Sequence, residues 1–248
     1  MMQRIVTGVV AGGIFLALLL LGGAYFQILV ALLVIIAMQE LFRMYKLQVF
    51  SFEGILATLA ALSLALPVGK HWLGLNADGG VMLFTLFLFM MLTGMVLSNG
   101  KYSFVDVGFP FLSAFYVGIG FNALLDARIA GFDKVLLALF IVWATDSGAY
   151  LVGRRYGVHR LAPHVSPNKT VEGSLGGIVS AVLVTFIFML FDKNVAAPHH
   201  LPIMLLFAVF FSIAGQFGDL VESAIKRHFG VKDSGKFIPG HGGVLDRF

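Results

Sequence analysis

Residues 81–97 read VMLFTLFLFMMLTGMVL, a continuous apolar run of 17 residues. A transmembrane helix needs about 20 mostly apolar residues, with a lower limit of about 17. Strands of a membrane barrel instead alternate lipid-facing and lumen-facing residues over about 10 positions, and this run does not alternate. The run therefore predicts a membrane-spanning helix.

Seven further apolar runs surround this one and determine the class of fold. The third run in chain order, Ile55–Val68, is short, so it could be tilted or partly interfacial. The sequence predicts an all-α polytopic membrane protein with about eight transmembrane helices. The predicted spans are Ile5–Leu21, Tyr25–Phe42, Ile55–Val68, Val81–Leu97, Phe104–Leu125, Val135–Val152, Leu175–Phe191 and Ile203–Ser223.

The composition supports the same fold class. The chain has 248 residues, of which 59% are hydrophobic and 12% are charged, and its mean hydropathy is +0.94. A soluble globular domain has roughly 45–50% apolar and about 25% charged residues. These values exclude a soluble enzyme, a disordered chain and a coiled coil. Because cysteine is absent, disulfides, thiolate nucleophiles and cysteine-based metal sites are excluded too.

The positive charges are distributed unevenly between the two sides of the predicted membrane domain. Thirteen of the 17 Lys and Arg residues fall on the side that carries both chain ends, and only Lys70, Arg128, Lys134 and Lys193 fall on the other. Cytoplasmic loops carry the excess of Lys and Arg. We therefore expect both ends to be cytosolic, most simply at a bacterial inner (plasma) membrane.

The chemistry is expected in the second half of the chain, because the two long polar stretches, 153–173 and 226–248, both lie on the predicted cytosolic side. We divide the chain into N-terminal transmembrane helices, 1–130, and C-terminal transmembrane helices with cytosolic catalytic loops, 131–248. Nothing marks a separate soluble domain, so both parts form one integrated membrane domain. A charged cytosolic substrate is the natural inference.

Two acidic residues lie inside predicted spans. Asp146 is near the end of the sixth span and Asp219 is near the end of the eighth, and both spans run towards the cytosol. An ionisable group inside a membrane is costly and by default indicates a functional site. The alternative is a structural carboxylate that is hydrogen-bonded or paired with a neighbouring Arg. In either case both carboxylates belong at similar depth, near the cytosolic interface.

One face of the eighth span combines acidic, hydroxyl and cationic side chains. Asp219, Glu222, Ser223 and Lys226 follow each other at helical spacing and share this face. Mg²⁺ takes oxygen ligands and is usually bound by one or two carboxylates plus substrate phosphates. The stripe therefore suits Mg²⁺ beside an anionic ligand, although a salt bridge to Lys226 alone also explains Glu222.

The cytosolic stretch 166–173, which reads SPNKTVEG, has two interpretations. Its Ser, Asn, Lys and Thr side chains could grip a phosphate, although the stretch lacks the G-x-x-x-x-G-K-[ST] pattern of a P-loop. A turn that leads into a helix with Thr170 as N-cap explains the same residues equally well. The nearby Gly148, Gly153 and Gly157 fit close helix packing or backbone approach to a ligand, and we favour packing for Gly148.

The last 26 residues carry the densest mixture of charged residues, with Lys226, Arg227, Lys232, Lys236 and Arg247 around two acids and two His residues. A basic juxtamembrane tail would attract anionic lipid by about 1 kcal/mol per cation. Such a tail has no need for an H-G-G sequence, two aspartates or a proline. We therefore interpret the segment as part of a site.

This segment resembles the signature of the phosphatidate cytidylyltransferase (CDP-diacylglycerol synthase) family. The signature reads S-x-Φ-K-R-x₄-K-D-x-small-x₂-Φ-P-x-H-G-G-Φ-x-D-R-Φ-D, where Φ is apolar, and every position from Ser223 to Phe248 matches it. The similarity extends back to about Trp143, whereas the first half of the chain matches only as hydrophobic spans. The family pattern continues with an Asp and usually a further span, so we expect a further C-terminal helix beyond Phe248.

The resemblance implies transfer of a cytidylyl group from CTP to phosphatidic acid, which gives CDP-diacylglycerol and pyrophosphate in phospholipid biosynthesis. It implies Mg²⁺ bound by Asp219 and Asp246, with Asp146 as a third ligand or as a residue that orients one. A second, monovalent cation is compatible with the site. The catalytic residues are then Asp219, Asp246, Lys226 and Arg247. The substrate-binding residues are Ser166, Asn168, Lys169, Thr170, Ser223, Arg227, Lys232, Asp233, His241, Gly242 and Gly243.

The expected partners are CTP, phosphatidic acid and membrane lipids, without nucleic acid. Several helices have faces of small residues, and such faces are compatible with a homodimer. Three other functions share some of these features: a cation-coupled secondary transporter, a CTP-dependent lipid or polyprenol kinase, and a non-enzymatic lipid-binding scaffold. A transporter predicts repeated halves and acids near mid-membrane, which this sequence does not show. A kinase would release CDP instead of pyrophosphate.

Overall fold

The computed structural model describes residues 2–67, 79–192, 195, 200–240 and 242–248. Within these residues the chain forms eight helices and one antiparallel two-stranded hairpin. The hairpin strands, β1 (Arg160–Ala162) and β2 (Ser166–Thr170), lie between the sixth and seventh helices. The helices are α1 (Met2–Leu21), α2 (Gly23–Tyr45), α3 (Phe52–Ala65), α4 (Gly79–Leu97), α5 (Phe104–Ala130), α6 (Phe132–Tyr156), α7 (Val171–Phe191) and α8 (Leu201–His228).

The eight helices coincide with the eight predicted spans. Six of them, α2 and α4 to α8, are long and apolar enough to cross a membrane, and shorter apolar helices cover Val6–Leu21 and Phe52–Ala65. The prediction of an all-α polytopic membrane protein is therefore confirmed, and α3 is short, as its sequence indicates. Some residues that the sequence predictions named lie outside the described residues, among them Val68, Lys70 and Lys193.

The chain separates into two compact units. The first unit comprises Met1–Ile129 and Val231–Phe248, and the second comprises Ala130–Gly230. Within the first unit, α2 buries one face completely, because apolar residues recur at every fourth position and align along the helix. The buried residues of this face are Phe26, Val30, Val34, Met38 and Phe42.

The C-terminal residue packs among the helices of the first unit. The ring of Phe248 lies 5.2 Å from that of Phe15 in α1 and 6.4 Å from that of Phe121 in α5, measured between centroids. Phe15 also meets Phe26 of α2 edge to face. The segment 231–248, which carries most of the motif, is thereby part of the N-terminal helical unit.

Within the second unit, α6 and α7 approach each other backbone to backbone. A Cβ added to Gly148 would lie 2.8 Å from the carbonyl oxygen of Gly176 and 2.7 Å from the Cβ of Ser180. A Cβ added to Gly173 would lie 2.8 Å from the carbonyl oxygen of Ala149. Small residues permit such close helix contacts in membranes. The interpretation of Gly148 as a packing residue is confirmed.

We expect Gly148→Ala to destabilise the second unit. The added methyl group overlaps the α7 backbone, and overpacking of this kind typically costs about 1–3 kcal/mol. Gly120→Ala in α5 is the matched control, because a Cβ there meets nothing within 4 Å. Thermal unfolding of both variants in detergent measures the difference, and equal midpoints would contradict the close packing of α6 and α7.

Candidate functional site

Two carboxylates and one ammonium group come together in the second unit. Lys169 at the end of β2 forms an ion pair with Asp219 of α8. Asp146 of α6 lies close enough for the charges of both residues to act on its carboxylate. The Lys169 side chain is 28% exposed and that of Asp219 is 54% exposed, so the group is accessible from outside the unit. The structure thus brings together three of the predicted site residues.

The hairpin and the start of α7 determine the position of Lys169. Residues 166–170, for which a turn was one of the two interpretations, form a strand, because β1 offers an antiparallel partner soon after α6 ends. Thr170 caps α7, since its hydroxyl accepts a hydrogen bond from the Gly173 N–H at 3.1 Å, which confirms the predicted N-cap. Lys169 therefore lies in the paired strand β2, one residue before the cap of α7, and both elements restrict its backbone.

Glu172 fixes the connection between α6 and β1. Its carboxylate accepts hydrogen bonds from the backbone N–H groups of Val158 and His159 and lies 2.5 Å from the Nδ1 atom of His159. The connection is thereby attached to the first turn of α7, where a carboxylate also interacts favourably with the helix dipole. Glu172 is accordingly a structural residue of the loop that carries Lys169.

A partly buried chain of hydrogen bonds connects the three helices of the second unit. The Thr145 hydroxyl donates to the Ser212 hydroxyl at 2.9 Å, and the Gln216 amide donates to the Ser212 hydroxyl and to the Ser174 carbonyl, both at 3.3 Å. Thr145 directly precedes Asp146, and Gln216 lies about one turn before Asp219. The sequence reasoning missed this chain, although Thr, Ser and Gln inside spans commonly hydrogen-bond across helices.

Glu222 and Lys226 form a salt bridge at the end of α8. Their Oε2 and Nζ atoms are 2.6 Å apart, and the two side chains are only 11% and 13% exposed. The spacing of four residues puts them on one helix face, so the salt-bridge interpretation of Glu222 is confirmed. On the same turns, Arg227 is exposed and Ser223 is half-buried.

The C-terminal segment of the first unit is organised around Asp246. Its Oδ2 atom accepts three hydrogen bonds, from the Ser234 N–H at 2.9 Å, the Ser234 hydroxyl at 3.0 Å and the Gly243 N–H at 2.7 Å. Gly242 has φ +92°, a left-handed conformation that favours glycine. Lys232, Asp233 and Arg247 of this segment are exposed, and His241 lies outside the described residues.

Glu40 of α2 belongs to the same cluster, and the sequence reasoning missed it. The side chain is 2% exposed. Its carboxylate accepts hydrogen bonds from the Val244 N–H at 2.8 Å, the Leu245 N–H at 3.1 Å and the Ser234 hydroxyl at 2.8 Å. An acidic residue inside the predicted span Tyr25–Phe42 was the available signal, because such residues usually have a specific partner.

The donor set of the second unit fits Mg²⁺ that binds together with a phosphate ligand. Among the described residues, no three His, Asp or Glu side chains form a group that could hold a metal by themselves. Mg²⁺ is commonly bound by one or two carboxylates while substrate phosphates complete its ligand shell. Asp146 and Asp219 supply two such carboxylates, and Asp219 already attracts a cation in the form of Lys169.

The sequence as a whole is similar to a known family and to proteins named phosphatidate cytidylyltransferase. The model of the cytidylyltransferase family matches residues 2–248. A phosphatidate cytidylyltransferase of Staphylococcus saprophyticus is 42% identical over 250 residues, which cover 100% of this chain and 94% of that protein. The phosphatidate cytidylyltransferase of Bacillus subtilis is 43% identical over 257 residues, which cover 100% of this chain and 92% of that protein. The phosphatidate cytidylyltransferase of Staphylococcus aureus is 40% identical over 252 residues, which cover 100% of this chain and 94% of that protein.

Proposed function

The chain belongs to the cytidylyltransferase family, and from this premise we propose that it transfers a cytidylyl group from CTP to phosphatidic acid. The products are CDP-diacylglycerol and pyrophosphate. The observation that carries the proposal is the similarity over the whole chain to relatives that are named phosphatidate cytidylyltransferase. The cluster of Asp146, Lys169 and Asp219 supports it, because carboxylates beside a lysine suit the binding of a nucleotide with its metal.

The reaction requires charge neutralisation more than proton transfer. A phosphate oxygen of the lipid forms a bond to the α-phosphorus of CTP, and the bond from that phosphorus to the bridging oxygen of the β-phosphate breaks. The lipid phosphate is already an oxyanion, so no strong base is needed. The barrier comes from bringing two anions together and from charge on the departing pyrophosphate, and catalysis of this type rests on positioning and electrostatic stabilisation.

We assign the metal to the acidic residues of the site. Asp219 and Asp246 would hold Mg²⁺, with Asp146 as a third ligand or as a residue that orients one. The ion would neutralise phosphate charge and polarise a phosphoryl oxygen. Asp246 is assigned on the strength of the motif, and its three hydrogen bonds suit a ligand because metal-binding carboxylates are usually oriented in this way. A monovalent cation beside Mg²⁺ is part of the same proposal.

In this proposal, cations and hydroxyl groups of the chain bind the phosphates of CTP and of the lipid. Lys226 and Arg247 act on the reacting phosphates. Two of the other proposed contacts, Thr170 and Gly243, also have roles in the fold that account for their presence, namely a helix cap and a hydrogen bond to Asp246. The proposed substrate contacts are Ser166, Asn168, Lys169, Thr170, Ser223, Arg227, Lys232, Asp233, His241, Gly242 and Gly243.

Product analysis tests the function and separates it from that of a lipid kinase. Purified protein in detergent is given CTP and phosphatidic acid, with Mg²⁺ or with EDTA. We expect CDP-diacylglycerol and pyrophosphate in equal amounts with Mg²⁺, and neither product with EDTA. Release of CDP together with a newly phosphorylated lipid would instead favour a CTP-dependent kinase.

The protein is an integral membrane protein, and we propose that both of its ends and its site face the cytosol of a bacterial cell. The absence of cysteine permits a direct test with single-cysteine variants. Phe50 is 89% exposed and lies on the predicted cytosolic side, whereas the exposed Lys134 lies on the opposite side. An impermeant thiol reagent added to intact cells should label Lys134→Cys and spare Phe50→Cys, and the reverse pattern would contradict the orientation.

We also propose that the protein forms a homodimer through a helix face of small residues. A Cβ at Gly215 or Gly218 of α8 would meet nothing within 4 Å, so this face leaves room for another helix. Small residues at helix interfaces allow close contact in membranes. Light scattering of the purified protein, corrected for bound detergent, should give twice the mass of one chain, and the mass of one chain would refute the dimer.

A further inference from the structure

Hydrogen bonds attach the C-terminal segment 231–248 to one buried carboxylate of α2, that of Glu40. Glu40 accepts hydrogen bonds from two consecutive backbone amides of this segment, those of Val244 and Leu245. It also accepts one from the hydroxyl of Ser234, which lies near the start of the segment. One side chain of the N-terminal helices therefore holds both ends of the loop that contains the P-x-H-G-G motif.

Ser234 connects this carboxylate to Asp246. Its Oγ atom lies 2.8 Å from Glu40 Oε2 and 3.0 Å from Asp246 Oδ2. A serine hydroxyl has one proton to donate, so the two carboxylates share a single donor. Because the Ser234 N–H also donates to Asp246, the positions of Glu40, Ser234 and Asp246 depend on each other.

Two glycines of the motif allow the backbone to approach Glu40. A Cβ at Gly235 would lie 2.6 Å from Glu40 Oε1, and a Cβ at Gly243 would overlap both carboxylate oxygens of Glu40 and the Ser234 hydroxyl. Any side chain at either position would push the segment away from Glu40. The close fit explains physically why the motif has a small residue at position 235 and glycine at position 243.

We propose that Glu40 is a positioning residue of the cytidylyltransferase reaction, a role that rests on the proposed function. It does not contact substrate. It fixes segment 231–248 from its buried side and, through Ser234, orients the carboxylate of Asp246 and the adjacent Arg247. A loop that carries a proposed metal ligand and a proposed phosphate contact needs such support, since loss of a group that orients a metal ligand typically costs 10–100-fold in activity.

Glu40→Gln tests the role, with Glu53→Gln in the first turn of α3 as the matched control. Gln keeps one acceptor oxygen, but its NH2 group can only donate. Either the Val244 N–H on one side, or the Leu245 N–H and the Ser234 hydroxyl on the other, therefore loses its acceptor. We expect kcat/KM to fall about 10–100-fold in the Glu40 variant and to stay unchanged in the control. Hydrogen exchange at the Val244 and Leu245 amides should accelerate at least about tenfold, while exchange in α2 stays slow.

Combining Glu40→Gln with Ser234→Ala distinguishes positioning from general destabilisation. If both residues act through one chain of contacts, the double variant should lose little more activity than Glu40→Gln alone. Additive losses, or a Glu40→Gln protein that keeps slow exchange and normal kcat/KM, would overturn the proposal. If Glu40→Gln does not yield monodisperse protein, the same exchange and activity measurements are made on Ser234→Ala instead. If the unmodified protein makes no CDP-diacylglycerol, the proposed function fails, whereas the exchange data still decide whether Glu40 holds the segment.

Discussion

Asp219→Asn lowers the rate of cytidylyl transfer by about 10²–10³-fold, the usual cost of losing one group that stabilises charge in a transition state. The substitution keeps the size of the side chain, removes its charge and replaces one acceptor oxygen with an NH2 donor. Asp219 lies at the protein surface and pairs with Lys169, so the fold does not depend on its burial. The loss should appear in kcat with saturating CTP and lipid, because the missing charge stabilises the reacting phosphates.

Asp133→Asn provides the matched control for Asp219→Asn. Asp133 lies in the second unit, in the first turn of α6, at the opposite end of that helix from Asp146. We expect this variant to keep its rate within about twofold, since surface substitutions away from specific contacts have small effects. Normal Mg²⁺-dependent turnover in Asp219→Asn would remove Asp219 from the site, and an equal loss in both variants would indicate an effect on the fold instead.

Lys169→Met should have two effects of opposite sign. Turnover falls by about 10²-fold, because a cation proposed to neutralise the phosphates is lost. Divalent metal binding in the absence of nucleotide becomes tighter by about 1.4- to fivefold, because Asp219 no longer pairs with an ammonium group. That factor corresponds to the ~0.2–1 kcal/mol of an exposed ion pair.

Titration of the nucleotide-free protein with Mn²⁺, followed by electron paramagnetic resonance, measures the second effect of Lys169→Met directly. Lys134→Met is the control, since Lys134 is an exposed cation near the start of α6. Unchanged or weaker Mn²⁺ binding in Lys169→Met would show that Lys169 and the metal do not compete for Asp219. Normal turnover would remove Lys169 from the proposed phosphate contacts.

The sequence predicted those features that depend on residues close together along the chain. A continuous apolar run such as Val81–Leu97 becomes a helix in a bilayer because a helix satisfies all its backbone hydrogen bonds within one segment, and α4 occupies this run. The cap of Thr170 on Gly173 spans three residues, and the salt bridge between Glu222 and Lys226 spans four. Their partners are determined by helix geometry alone.

Contacts between residues that are far apart along the chain could not be predicted from the sequence. Ser234 and Glu40 are 194 residues apart in sequence, and their meeting depends on how the C-terminal segment packs on the first helices. Glu40 could have been recognised as an unusual acid within a span, but its partner could not. The hairpin was missed because β2, with its Ser, Pro and Asn, has the composition of a turn and becomes a strand only through pairing with β1.

The fate of the individual phosphates of CTP tests the central claim most directly. Purified protein is incubated with phosphatidic acid and Mg²⁺ in two parallel reactions, one with CTP labelled at the α-phosphate and the other with CTP labelled at the γ-phosphate. Cytidylyl transfer predicts that label enters the lipid only from the α-phosphate, while the γ-label leaves in pyrophosphate. Entry of the γ-label into lipid, or no lipid product from either nucleotide, would contradict the account.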